Sequence, residues 1–472
     1  MPVRRSTLAL ATLGAGSLLV GLTLAPAVAA ASVRSAVVPA PPSVPAVVLP
    51  PVALLAGSPS PSASAGDAAL VVRLTAALAA KPLGRDVTVS VIDAASGVVL
   101  LARGDTRAQQ PASILKTLTA VTALRTLGPD TRLVTRVVTG ATPTEIVLVG
   151  AGDATLTRLP APASAAPTGQ AARPASLSEL AVATAATLRQ AGRTNVTVRV
   201  DDTLFTGPRL APGWPTTYVT SGVVSPVSAL SADSGRVSAT SRVRDNDPAL
   251  AAAQYFVTRL RAAGVVVDGA ATRGVAPPAA TDVALVRSPT VADLVERTLT
   301  ASDNDLAEAL GHLAGKAAGF DASFAGGVTA VEQTLALIGV PTTGLRVVDA
   351  SGLSRLDLAS AVTVTRTLQA ASVDAPPTGD RDGVLWPVTS GLPIAGVTGT
   401  LTERFDTPGT APGRGVVRAK TGTLSGVVSL AGVVRDPSGR LLVFAFVADK
   451  SPGPLLDAQA ALDRAAAVLA TG

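Results

Sequence analysis

The chain has 472 residues, 47% of them apolar, which is too long for one ordinary core and too apolar for disorder, so two or three folded domains are expected. It has no cysteine and one histidine, His312, which excludes disulfides and thiol catalysis and speaks against any histidine- or cysteine-built metal site. The net charge of +6 arises from scattered arginines in a chain with 2% aromatic residues, so no nucleic-acid partner is expected.

Residues 1–30 read as a secretory signal, with basic MPVRR, an apolar run and small residues at 27–29. The apolar run, about eighteen residues, is near the lower limit for a spanning helix, so an uncleaved N-terminal anchor is the alternative. Either way the chain is expected to be exported to the cell envelope, where anionic wall polymers or a membrane surface suit a basic protein. Residues 31–66, rich in Pro, Ala and Ser without periodicity, read as a tether.

Globular structure is expected from residue 67: a helix at 67–80, two strands within 87–104 around an Ala-Ser-Gly turn, and a helix at 113–128 ended by Gly128. From 129 to 287 the texture changes to short strands at 132–140, 145–152, 195–202 and 282–288, with helices at 176–192 and 249–264 and a Pro/Ala-rich loop near 160–175. This reads as one or more inserted α+β domains. At the far end, 415–450 reads as three strands joined by short turns, and 455–470 as a closing helix. The fold class is therefore α/β of the α+β kind: a five-stranded antiparallel sheet flanked by helices, assembled from 67–128 and 288–472 around the insertion at 129–287.

Lysine is scarce, five of 39 basic residues, yet one sits at 116, three residues after Ser113. On a helix those positions share a face, so a hydroxyl and an amine can meet. Two further short motifs follow in order: Ser302-Asp303-Asn304 and Lys420-Thr421-Gly422. Each alone is weak, since chance or an ordinary turn produces it. Together, as S-x-x-K, S-D-N and K-T-G, they match the set known from penicillin-binding proteins and class A β-lactamases.

Beyond the three motifs, DASGLSR at 349–355, GTLTERF at 399–405, AKTGTLSGVVSLAG from 419 and LVGAGDATLT at 148–157 resemble segments of the D-alanyl-D-alanine carboxypeptidase/endopeptidase branch of penicillin-binding proteins, peptidase family S13. Ser302 lies 189 positions after Ser113, which leaves room for the large insertion of that branch. The resemblance implies a penicillin-binding, serine β-lactamase-like transpeptidase fold without cofactor or metal. Its implied activity is a serine D-Ala-D-Ala carboxypeptidase, with DD-endopeptidase action as an extension, on peptidoglycan stem peptides, and β-lactams are its implied covalent inhibitors.

In that scheme Ser113 is the nucleophile and Lys116 its base, made neutral by burial and by the charge of Lys420. Ser302 relays a proton to the leaving amine and Asn304 binds the substrate amide. Lys420, Thr421, Gly422 and Thr423 line the strand that receives the terminal carboxylate. A β-lactamase-like hydrolase is the alternative within enzymes, but no asparagine follows Asn304, so the E-x-x-L-N loop of class A enzymes is absent. The alternative outside enzymes is an inactive wall-binding module, against which the intact motifs argue. His312 is expected on a helix surface, Asp201, Asp202 and the DATL aspartate in solvated loops, and Asp349, Ser351 and Ser354 either in a plain turn or in support of the site.

Overall fold

The structure, a computed structural model, describes residues 65–160, 173–238, 240–372 and 383–472. The expected signal at 1–30, nearly all of the tether and most of the loop near 160–175 lie outside the described residues. Helix α1 (Ala65–Ala77) leads into β1 (Asp86–Asp93) and β2 (Val99–Arg103), and α2 (Lys116–Leu127) follows a short 3-10 turn at Ala112–Leu115. Then come β3 (Arg132–Thr139), β4 (Glu145–Val149), α3 (Leu177–Gln190), β5 (Asn195–Asp201), the single-turn α4 (Thr217–Thr220), α5 (Pro248–Ala262), β6 (Val266–Val267), β7 (Thr272–Arg273) and β8 (Asp282–Thr290). Helices α6 (Val291–Thr300), α7 (Asn304–Ala317), α8 (Phe324–Leu337), α9 (Ala361–Ser372) and α10 (Trp386–Ser390) precede β9 (Arg418–Leu424), β10 (Val427–Arg435), β11 (Leu441–Asp449) and α11 (Leu455–Ala470).

Strands β1, β2 and β9 to β11 form one antiparallel sheet in the order β2-β1-β11-β10-β9, as expected from two strands near one end of the chain and three near the other. The last strands read as continuous apolar runs because both faces are covered. Alternation divides them between two cores. Ala431, Val433, Val443, Ala445 and Val447 pack with Leu118, Val121, Leu294 and Leu310 of the helices on one side. Val428, Leu430, Phe444, Phe446 and Ala448 pack with Leu70 and Leu74 of α1 and Leu462 and Ala465 of α11 on the other. Each such side chain withdrawn from water contributes about 1.5–3 kcal/mol before entropy is counted.

The second sheet has the order β6-β5-β4-β3-β8, with β7 also pairing with β5, and mixes antiparallel with parallel neighbours. Its Ile146, Leu148, Val196, Val198 and Val200 pack against Leu180 and Leu188 of α3 and Phe256 and Leu260 of α5. Pairing of Arg132 with Thr290 brings the chain back beside its point of departure, directly before α6. The segment that carries the second sheet thus leaves and returns at one place. A loop within it carries Ala211, Trp214 and Val224 onto Phe324 and Leu353, next to the first sheet's helices.

Candidate active site

Ser113 lies in the 3-10 turn before α2, after Ala112, whose φ of 51° lies in the left-handed region that only glycine enters at no cost. Two glycines from distant motifs hold this turn. A Cβ on Gly422 would lie 2.1 Å from Ser429 Oγ and 2.9 Å from Pro111 O, and one on Gly352, where φ is 76°, would lie 2.1 Å from Ala112 O. Ser429 Oγ closes the contact by donating to Pro111 O at 2.7 Å. Gly422 is therefore needed because β9 runs against the serine's own backbone.

One turn on, Lys116 is fully buried on a helix with no exposed side chain from 116 to 124. Its Nζ is 2.7 Å from Asn304 Oδ1, 2.7 Å from the Ser351 carbonyl and 3.0 Å from Ser113 Oγ. The first two partners only accept, because the other end of the Asn304 amide donates to the Val223 carbonyl at 3.0 Å. A neutral amine has two N–H bonds for those two acceptors and one lone pair for the Ser113 hydroxyl. Burial pulls the Lys116 amine down to about 8, while the carboxylates of Asp349, Glu308, Asp303 and Asp305 pull it back up. Glu308 is itself pushed up by burial and by the charge of Asp349, so it is held toward its neutral form and opposes Lys116 less.

Asn304 meets Lys116 from the start of α7, with Ser302 and Asp303 directly before it. Asp303 caps that helix by accepting from Leu306 N at 3.0 Å, which makes Asn304 its first residue, and Ser302 before it adopts a φ of 53°. Ser302 Oγ accepts from Lys420 Nζ at 2.8 Å, and Lys420 also donates to the Thr421 carbonyl at 2.8 Å. Lys420 is fully buried and lies well below lysine's ordinary value, because of burial first and then the charges of Lys116 and Arg404. Burial is thus the first cause that lowers both amines. On β9, Lys420 and Gly422 point to the serine's side of the strand, and Thr421 and Thr423 to the other. The Thr421 hydroxyl bonds with Thr400 at 2.9 Å, and that of Thr423 accepts from Gln459 Nε2 at 3.0 Å.

The turn at 349–355 is built around Asp349, which accepts from the backbone of Ser351, Gly352 and Ser354 and, at 2.8 Å, from the Trp214 indole. It is therefore a turn that also supports the site, since its Ser351 carbonyl holds Lys116. Other expectations are corrected. His312 is buried between Phe205 and Phe324, with ring centroids 4.9 and 4.7 Å away, and burial lowers it to about 4. Asp153 and Asp201 are buried, each turning back on a threonine two residues later, and Asp202 pairs with Arg209 and Arg273. Sequence reasoning missed Glu308, Trp214 and the carbonyls of Val223 and Ser351. Only Glu308 had a signal, because it lies four residues after Asn304 on the same helical face.

The family model for D-Ala-D-Ala carboxypeptidase 3 (S13) matches residues 70–245 and 237–469. The chain belongs to this family. It is similar to a carboxypeptidase of Mycobacterium tuberculosis, at 38% identity over 427 residues that cover 88% of this chain and 86% of that one. The carboxypeptidase DacB of Mycolicibacterium smegmatis is 35% identical over 410 residues, 85% of this chain and 83% of that protein. The fold of this S13 chain is also that of penicillin binding protein 4 from Haemophilus influenzae, with a TM-score of 0.68 at 20% identity over 84% of this chain and 97% of the other. Membership makes the chain a hydrolase of the peptidase class.

Proposed function

We propose that this S13 chain is a serine D-Ala-D-Ala carboxypeptidase that acts on peptidoglycan stem peptides through an acyl-enzyme on Ser113. The observation that carries the reading is the Lys116 amine, which lies 3.0 Å from Ser113 Oγ while Asn304 Oδ1 and the Ser351 carbonyl hold it at 2.7 Å each, so that in its neutral form the lone pair is left for the Ser113 hydroxyl. In the first step Lys116 takes the hydroxyl proton and Oγ bonds to the carbonyl carbon of the penultimate D-alanine. The tetrahedral adduct then collapses, the C–N bond breaks, and the leaving amine of the terminal D-alanine receives, by way of Ser302, the proton that Lys116 took from Ser113. This leaves Lys116 neutral again, and Lys420 holds Ser302 in place. Water next attacks the ester, Lys116 accepts a proton from it and returns that proton to Ser113 Oγ as the acyl C–O bond breaks, and the shortened peptide leaves.

Lys420 has no carboxylate partner in the described site, and its burial disfavours charge. An arriving substrate carboxylate would supply the missing countercharge, so binding and protonation of Lys420 are linked. The Thr421 and Thr423 side chains, expected to join it, face the other side of β9. Asn304, whose amide already touches Lys116, would meet the scissile amide from the other side. β-Lactams, as carbonyl compounds that fit the same position, would acylate Ser113 and stay.

Labelling with a fluorescent penicillin followed by intact mass tests the reading: one adduct per chain is expected in the wild type and none in Ser113→Ala. An adduct at the wild-type rate in Ser113→Ala would refute it. Release of D-alanine from a pentapeptide, compared with cleavage of a crosslinked dimer, separates carboxypeptidase from endopeptidase action. We also propose export, supported by MPVRR and the apolar run after it, with membrane-surface contact through the basic charge. N-terminal sequencing of the mature chain and its partition between wall, membrane and medium check both.

A further inference from the structure

The Asn304 amide is the hinge of the site, because its orientation decides what Lys116 can do. As placed, Nδ2 donates to the Val223 carbonyl and Oδ1 accepts from Lys116. Turned over, the amide would set Oδ1 against the Val223 carbonyl and present an N–H to Lys116. The amine would accept that N–H with its lone pair, the same lone pair that takes the Ser113 proton. What holds Val223 therefore bears on catalysis, and Val223 belongs to the inserted region.

Val223 is fastened on both sides. Ser225 N donates to Asp305 Oδ1 at 2.7 Å, and Asp305 Oδ2 lies 2.9 Å from Arg244 Nη2. Arg244 donates in turn to the Gly222 carbonyl at 3.3 Å and to the Ser234 carbonyl. The two side chains are 4% and 9% exposed, so neither charge has water as an alternative partner. Asp305 follows Asn304 in the first turn of α7, so one helix end presents both the amide to be oriented and the carboxylate that anchors its orienter. At Gly222 φ is 76°, and a Cβ there would lie 2.2 Å from the Arg242 carbonyl, so only glycine fits this path.

We propose that Arg244 is a positioning residue for the reaction: through Asp305 it fixes segment 222–225 so that the Val223 carbonyl keeps the Asn304 amide oxygen toward Lys116. The insertion then completes the base even though it supplies no catalytic side chain. This rests on the reading of Lys116 as the base.

The test resolves acylation of the full chain by a fluorescent penicillin into a binding constant and an acylation rate constant, beside a melting curve. Arg244→Met is expected to lower the rate constant about tenfold or more per folded molecule with the binding constant little changed, and Arg244→Lys to recover most of it. Gly222→Ala displaces the Val223 carbonyl without changing any charge, since Asp349, Glu308, Asp303, Asp305 and Lys420 around Lys116 all stay. It is expected to slow the same step and to move the acid limb of the pH–rate profile to lower pH, because an accepting amide oxygen favours the charged amine and is lost. Should Arg244→Met fail to fold, Gly222→Ala decides alone. A lowered melting temperature with the wild-type rate constant and an unmoved limb overturns the proposal. A wild-type chain that takes up no penicillin at Ser113 overturns the functional reading beneath it instead.

Discussion

The two sheets carry ionisable residues in opposite ways. The antiparallel sheet is covered on both faces, and at its edge Lys420 is fully buried and driven toward its neutral form, as is Lys116 on the helix packed beside it. The second sheet is covered on one face by α3 and α5, and its other side opens on a concavity of about 670 Å³ bordered by Arg132, Arg136 and Arg287. There the charges stay on. Arg273 pairs with Asp202 and Asp247, and its hydrogen bond holds Asp247 at about 2, while Arg199 pairs with Glu145. Coverage removes charge in one region and pairing keeps it in the other, and only the first produces an amine able to take a proton at working pH.

The sharpest way to break this contrast is to put a permanent charge into the covered region. Lys116→Arg is expected to lower the acylation rate by about 10³-fold or more, because a guanidinium stays protonated and offers no lone pair. The matched change on the open sheet, Arg273→Lys, is expected to leave acylation within about twofold and to cost at most about 1 kcal/mol of stability, since that pair is part-exposed. Stopped-flow labelling with penicillin, beside urea unfolding, measures both.

Next in size is Gly422→Val. Its branched side chain would fall where Ser429 Oγ and the Pro111 carbonyl already lie, so β9 must move off the serine turn. A fall of about 10²-fold in acylation is expected even in chains that stay folded, because the serine's neighbours lose their registration. Wild-type acylation here would show that the close approach of strand and turn is incidental.

The pH profile gives a smaller, graded effect. With Lys116 at about 8, about one amine in ten is neutral at pH 7 and about nine in ten at pH 9, so acylation is expected to rise about tenfold over that interval and then level off. The sign follows from the neutral amine being the active form. A rate already flat from pH 6 upward would mean that burial outweighs the surrounding carboxylates by more than the structure indicates. The smallest effect belongs to Trp214→Phe, which keeps the packing on Phe324 and removes the donor to Asp349. A stability loss of about 1–3 kcal/mol in thermal unfolding is expected, with a change in acylation of only a few-fold.

The strand and helix pattern around the site was legible because local spacing is dictated by backbone geometry. Alternating residues in β10 and β11 had to face opposite cores, and Gly128 had to end α2, where its φ is 82°. The surroundings of single polar residues were not legible in this way. His312 looks like a surface residue along α7, yet Phe205 from the loop after β5 and Phe324 of α8 close over it. Asp153 and Asp201 look like solvated loop acids, yet the chain folds over both.

Sequence alone determined that Ser113 and Lys116 share one helical face, because positions three apart meet wherever a helix forms, and that two further motifs follow them in order. It could not determine that the Lys116 amine also meets Asn304, 188 residues away, and the Ser351 carbonyl, 235 residues away. Nor could it determine how far burial lowers that amine, or that the Val223 carbonyl accepts from the amide facing it. Those are properties of how distant elements pack, and desolvation exists only once the packing has excluded the water.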